Sequence, residues 1–401
     1  MVHWFLRYFN DKVKVPVVSF EYKSKNVYGL WEWAGAFGDL GTLIPFVVAY
    51  IAVMKLDPAG VLMAFAVSKI AVGFFYKIPI PVQPMKAIGT AAVTQVGTIN
   101  PAMLYGSGIV TALIWLIIGL TNTTRFLTRI TARPIVLGIV LGLGLLFIGN
   151  GVKMMLPALW LGGVGLALTL VLLWKPTVPA MFVLLLFGAG VALWQNPGLY
   201  QELSKMVPHF QLPSLNFYQL SWQGIVGGTL LLALPQMPLT LGNAIIAITA
   251  ESNHLFPQHP VSERKLALST GFMNLFSAFI GGVPLCHGAG GMAGHVRFGA
   301  RTGGALVILG SLLLIMALFF SDSVEIIFGV FPQPVLGVIL LVAGIELART
   351  AWDRTIQKKD LIVLGVTAGL VLWNMLAAFI AGIILYYLLH RNYKQQPSLR
   401  V

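Results

Sequence analysis

Two short stretches of this chain hold residue types suited to gripping an anion. The first is Ile78-Pro79-Ile80-Pro81-Val82-Gln83-Pro84-Met85-Lys86-Ala87-Ile88-Gly89, and the second is Gly282-Val283-Pro284-Leu285-Cys286-His287-Gly288-Ala289-Gly290-Gly291. Neither can begin as helix. Three prolines within six residues remove N–H donors and push the residues before them into extended backbone, so 79 to 83 is expected to be extended. Pro84 then suits the first turn of a helix, where a missing donor costs nothing. Aligning Pro81 with Pro284 equates Gln83 with Cys286 and Pro84 with His287. Each extended entry leads into a short helix whose first N–H groups are unsatisfied and whose dipole is positive at that end. Two such ends facing one another make an anion site.

Lys86 sharpens the reading, because a cation in the first turn of a helix is repelled by the dipole and calls for something negative beside it. The choices are a bound anion or Asp39, in Phe37-Gly38-Asp39-Leu40-Gly41-Thr42. Asp39 is thus either a counter-ion for Lys86, holding two helices together, or a proton carrier, with Thr42 beside it. Further along, Pro235 and Pro238 interrupt a helix that carries Gln236, Thr240 and Asn243 at near-helical spacing. These three are side-chain donors for a ligand or polar glue between helices. Cys286 and His287 do not read as a nucleophile with its base or as a metal site, since neighbours rarely face one another and Glu263 is the only acid within thirty residues. A neutral imidazole donating to an oxyanion suits His287 better. The candidate substrate-binding set is Gln83, Met85, Lys86, Gln236, Thr240, Cys286, His287 and Gly288, with Asp39 and Thr42 as charge-pair or coupling residues and no catalytic, metal or cofactor site.

The elements that must position these residues follow from composition. The chain has 401 residues, 57% hydrophobic and 10% charged, with 43 glycines and 22 prolines, which excludes a water-soluble enzyme and indicates a polytopic α-helical membrane protein. One cysteine excludes a disulfide framework. A polar, basic N-terminus shows no cleavable signal. Cutting at charges, prolines and polar clusters gives fourteen segments of roughly membrane-spanning length. They run near 35 to 54, 58 to 76, 79 to 98, 103 to 120, 133 to 151, 156 to 174, 178 to 194, 221 to 249, 265 to 281, 283 to 300, 303 to 320, 332 to 348, 360 to 373 and 375 to 390. With both termini cytoplasmic, 21 of the 26 lysines and arginines fall in alternate connections. That pattern explains the formal charge of +13 as a topology signal and removes a nucleic-acid role.

The segments divide into halves of seven, 31 to 200 and 221 to 392, joined by an extracytoplasmic linker at 201 to 220 and flanked by cytoplasmic pieces at 1 to 30 and 393 to 401. An odd number of spans per half starts the second half on the opposite side, so the repeat is inverted, a plan common among transporters. The two proline- and glycine-rich stretches are then the third span of each half, half-helices at membrane depth. Irregular backbone is tolerated there only where it is buried in protein or lines a cavity.

Phe37-Gly38-Asp39-Leu40-Gly41-Thr42, Pro81-Val82-Gln83-Pro84-Met85-Lys86 and Cys286-His287-Gly288-Ala289-Gly290-Gly291, followed by Arg297-Phe298-Gly299-Ala300-Arg301, resemble the molybdate transporter family, a sulfate-transporter-like group. The resemblance covers essentially the whole membrane region. It implies the fourteen-span inverted-repeat fold of the uracil permease and sulfate permease superfamily, with a core domain (spans 1 to 4 and 8 to 11) moving against a gate domain, often in a homodimer. The wider sulfate permeases carry a soluble domain after the last span, whereas this chain stops soon after His390, as the molybdate branch does. The implied function is secondary transport of molybdate by alternating access in the cell's inner or plasma membrane. Sulfate is the same tetrahedral dianion in a slightly smaller form, so a carrier of sulfate or another anion is the alternative, ahead of an anion channel or an intramembrane enzyme.

Overall fold

A computed structural model describes residues 25–94, 98–124, 126, 132–174, 180–215, 220–351 and 357–390. The chain is built from helices and one two-stranded sheet. The first half runs α1 (Leu30–Ala52), α2 (Pro58–Tyr76), β1 (Gln83–Pro84), α3 (Lys86–Thr94), α4 (Pro101–Leu120), α5 (Arg133–Met155), α6 (Leu159–Trp174), α7 (Ala180–Gln195) and α8 (Pro197–Ser204). The second runs α9 (Trp222–Leu255), α10 (Glu263–Phe279), β2 (Leu285–Cys286), α11 (Ala289–Arg297), α12 (Gly304–Phe319), α13 (Val324–Gly329), α14 (Gln333–Thr350), α15 (Lys358–Val371) and α16 (Met375–Leu389).

Helix starts follow local chemistry. Asp57 caps α2 by accepting from the Ala59 amide at 3.0 Å, and Asn100 caps α4 by accepting from Met103 at 3.0 Å, each with proline in the first helical position. Ser262 and Asn374 cap α10 and α16 in the same way. In α9 the backbone widens to π geometry at Thr229–Ala233 and Thr240–Ala247, on either side of Pro235 and Pro238. A proline supplies no N–H and crowds the carbonyl four residues back, and a wider turn absorbs both effects.

Five helices among the described residues are long and apolar enough to cross a membrane, or up to seven if each of two sharply bent pairs is one span. Those pairs are α7 with α8 and α12 with α13, each bent by 102°. Helix α8 lies in the stretch expected from sequence to be a plain polar linker. The same linker is tied to the ends of two long helices. The Ser214 amide and hydroxyl donate to Asp57 at 2.8 and 2.7 Å, and the Gln211 amide donates to Leu318 O at 2.8 Å.

The most extensive helix contacts cross between the halves. Helix α2 lies along α12, α4 along α10, and α5 along α14, while α1 meets α12 and α4 meets α9. Close approach of α1 to α11 depends on paired glycines. A Cβ at Gly38 would overlap the Gly294 carbonyl, and one at Gly294 would overlap the Gly38 carbonyl, so only glycine at both positions lets the backbones touch. In the first turn of α1, buried Glu32 accepts backbone N–H bonds from Arg301, Thr302 and Ala305 at 2.8, 2.8 and 3.1 Å, satisfying the entry into α12.

The sheet joins the halves at their centre. Strands β1 and β2 pair antiparallel, with Gln83 opposite Cys286 and Pro84 opposite Leu285. The proline-rich stretch forms no helix, but it is strand only at Gln83–Pro84 and opens with a tight turn in which the Ile80 amide donates to Ile78 O at 2.7 Å; Pro84 belongs to β1, and α3 starts at Lys86. Pairing explains the shift, because the Met85 amide donates to Pro284 O at 2.9 Å and holds the chain in strand until that residue.

Candidate functional site

Each strand is clamped by the long helix before it. From α2, Lys69 Nζ donates to Val82 O at 2.7 Å. From α10, Asn274 donates to Leu285 O at 2.7 Å and accepts from the Leu285 amide at 2.9 Å, and Ser277 donates to Val283 O at 2.6 Å. Backbone polar groups that would otherwise be orphaned in an apolar interior are thereby paired. Helices α3 and α11 leave the strand pair from its opposite ends, since the pairing is antiparallel.

Asp39, in a single 3-10 turn within α1, faces this junction and is 2% exposed. It takes an ion pair from Lys69 Nζ at 3.5 Å and a hydrogen bond from Gln83 Nε2. One of the two readings of the sequence paired Asp39 with Lys86; the ion pair of Asp39 is with Lys69. Lys69 and Asp39 sit on neighbouring helices, α2 and α1, whereas the Lys86 side chain lies against α5. There its Nζ is buried with no hydrogen-bond partner, 4.2 Å from the centre of the Phe147 ring of α5. A cation–π contact offsets part of the cost of burying the charge and supplies no anion. Gln83 is fully buried, and its Oε1 is likewise unpartnered.

Gln236 and Thr240 reach the same junction from α9. Gln236 Oε1 accepts from the Ala87 and Ile88 amides of α3 at 2.9 and 3.4 Å, and its Nε2 donates to Thr240 Oγ1 at 3.0 Å. Asn243 Oδ1 accepts from the Ala289 amide, the first of α11, at 3.2 Å. Gly288 precedes that helix, and a Cβ there would overlap the Gln83 side chain. Met85 is fully buried beside β1, and Cys286 Sγ lies 3.9 Å from Pro84 O. Thr42 is buried one turn beyond Asp39 on α1.

His287 turns away from these groups. Its Nδ1 donates to Pro81 O at 2.8 Å, since a carbonyl can only accept, and its Nε2 bonds Ser269 Oγ at 2.7 Å, with Tyr76 OH 2.9 Å from the same hydroxyl. Both nitrogens are engaged, so the ring braces β1 against α10 and leaves no nitrogen for a ligand in this conformation. His295, on α11, donates from Nδ1 to Gly35 O at 2.8 Å, and its buried Nε2 is unpartnered. Lys69, Asn274 and Phe147 were not singled out from sequence. Lys69 was visible as a charge inside an apolar span, but Phe147 carried no signal within its apolar run. Among the described residues, no group of three or more His, Cys, Asp or Glu side chains is placed to hold a metal.

A mostly helical architecture with long apolar helices, paired short strands and a buried lysine at the start of a helix is that of a polytopic membrane protein. The model of the family described as "Molybdate transporter of MFS superfamily" matches residues 31–147 and 228–347, and the chain belongs to that family. Molybdate transporter 2 of Arabidopsis thaliana is 32% identical over 409 residues, covering 89% of this chain and 87% of the relative. Molybdate transporter 1 of the same plant is 30% identical, covering 92% and 90%. A Chlamydomonas reinhardtii molybdate transporter 1 is 26% identical, covering 88% and 90%. In fold the chain is similar to the murine anion transporter Slc26a9 in an inward-facing state, with TM-score 0.60 at 15% identity over 95% of this chain and 71% of the other. It is also similar to the transmembrane domain of the cyanobacterial bicarbonate transporter BicA, with TM-score 0.56 at 16% identity over 88% and 97%. The family description refers to the MFS, whereas the fold is that of these SLC26-type proteins.

Proposed function

We propose that the chain carries molybdate, or a closely similar tetrahedral oxyanion, across the membrane as a secondary transporter working by alternating access. The observation that carries the site is Lys86, whose buried ammonium sits at the start of α3 with no hydrogen-bond partner. An intramembrane charge of that kind marks a pathway or ligand by default. Lys86 supplies positive potential, Gln83 and the backbone at the starts of α3 and α11 supply hydrogen bonds, and the Asp39–Lys69 pair is the candidate coupling element. Met85, Thr42, Cys286, His287 and Gly288 shape and brace the surrounding wall.

The fourteen-span inverted repeat, with half-helices at α3 and α11 and a linker at 201 to 220, is part of the same proposal. Two observations support it. Exchanging equivalent elements of the halves turns the α2–α12 contact into the α10–α4 contact, and returns α5–α14 and β1–β2 to themselves. The family match also falls on two stretches of similar length, one in each half. A core block around the strand pair moving against a gate block, a homodimeric assembly and cytoplasmic termini complete the proposal; residues 1–24 and 391–401 lie outside the described residues.

The test is uptake of labelled molybdate into proteoliposomes, challenged with sulfate, tungstate and uracil. Competition by tungstate and sulfate but not by uracil, with counterflow, is expected. Lys86→Ala is expected to abolish uptake in a protein that still folds, and wild-type uptake by that variant overturns the site.

A further inference from the structure

Two side chains of α9 hold the very backbone donors that an oxyanion would use. Gln236 Oε1 takes the Ala87 and Ile88 amides, and Asn243 Oδ1 takes the Ala289 amide. Because N–H donors converge on Gln236, its oxygen must face them, which fixes the amide's orientation. Thr240 Oγ1 anchors the other end by accepting from Nε2 at 3.0 Å. Gln236, Thr240 and Asn243 are all at most 2% exposed, so water does not relieve these bonds. Independently of the helix starts, Lys86 Nζ points to an anion here, being a buried ammonium without a hydrogen-bond partner.

We propose that Gln236 and Asn243 are internal surrogates for the substrate's oxygens, competing with the anion for the starts of α3 and α11 and so setting its affinity. This rests on the site proposed above. Hydrogen bonds from backbone amides to a charged acceptor are about twice as strong as those to a neutral carbonyl, so an oxyanion can displace the side chains. Thr240 keeps Gln236 within reach, and the side chain returns as the anion leaves. A carrier needs such a balance, since binding must be strong enough to load and weak enough to release. The competing assignment has Gln236 donate to the anion through Nε2, and it predicts the opposite sign on substitution.

The experiment measures molybdate affinity by calorimetry on the purified full chain, comparing wild type with Gln236→Leu, Asn243→Ala and Lys86→Ala. Leucine keeps most of the bulk of Gln236 and removes the competing acceptor. Competition predicts about two- to tenfold tighter binding for Gln236→Leu, the worth of an ordinary hydrogen bond, and a smaller tightening for Asn243→Ala. Unchanged or weaker binding in both, with binding lost in Lys86→Ala, overturns the competition and leaves the site standing. Wild-type affinity in all three removes the site itself. Should Gln236→Leu not fold, Thr240→Val loosens the same side chain and is expected to tighten binding; weaker or unchanged binding in that variant overturns the proposal.

Discussion

Replacing Lys86 with methionine should make the protein more stable and less able to bind. A lysine near the middle of an apolar span costs about 2.5–3.5 kcal/mol on insertion scales. Its Nζ lies 4.2 Å from the Phe147 ring centre, and a desolvated cation–π contact returns up to about 2 kcal/mol. About 1 kcal/mol of standing cost remains, because no hydrogen bond offsets it. Methionine fills nearly the same volume without the charge, so the variant should gain about that much stability. Its affinity for molybdate should fall, since a hydrogen bond to a charged group is worth about 1.5–3 kcal/mol, or roughly ten- to 150-fold. The assay is thermal unfolding of the purified protein with and without molybdate. Wild type should melt lower alone and rise with molybdate, whereas Lys86→Met should melt higher alone and respond little. A variant that is less stable and still rises with molybdate would refute the reasoning, because it would give Lys86 a structural partner in place of a ligand.

Two further perturbations test the surroundings of the site. Asp39→Asn strands the buried Lys69 ammonium and should cost about 3–5 kcal/mol, while adding Lys69→Met should recover much of that loss. Folded yield and a double-mutant cycle measure it, and additive losses would show that the pair does not act as a unit. Gly38→Ala forces a Cβ onto the Gly294 carbonyl and should cost about 1–3 kcal/mol in chemical or thermal unfolding, with a wild-type midpoint contradicting the close approach.

The sequence marked the residues around the strand pair better than it oriented them. Proline spacing at Pro79, Pro81 and Pro84 made the extended entry readable, and Lys86 stood out because a charge in an apolar run is conspicuous. Which partner a buried charge takes depends on the azimuth of neighbouring helices, and spacing along one chain gives only depth. Lys69 instead of Lys86 as the partner of Asp39 is that kind of difference. Cys286 and His287 diverge because successive residues of an extended chain point to opposite faces, which sends the imidazole to Ser269. Gln236 was legible as a polar residue facing the site, but its role as acceptor depends on where α3 begins, and the pairing of β1 with β2 decides that.

That pairing also sets an order of events during synthesis. Pro81 and His287 are hydrogen-bonded across a separation of 206 residues. Until the second half emerges from the ribosome, the nascent first half exposes carbonyls in an apolar setting with nothing yet made to receive them. Contacts so distant along the chain close slowly. The strand pair is therefore among the last features to assemble, and lesions in the second half that leave its own helices sound should still strand the first half incompletely folded.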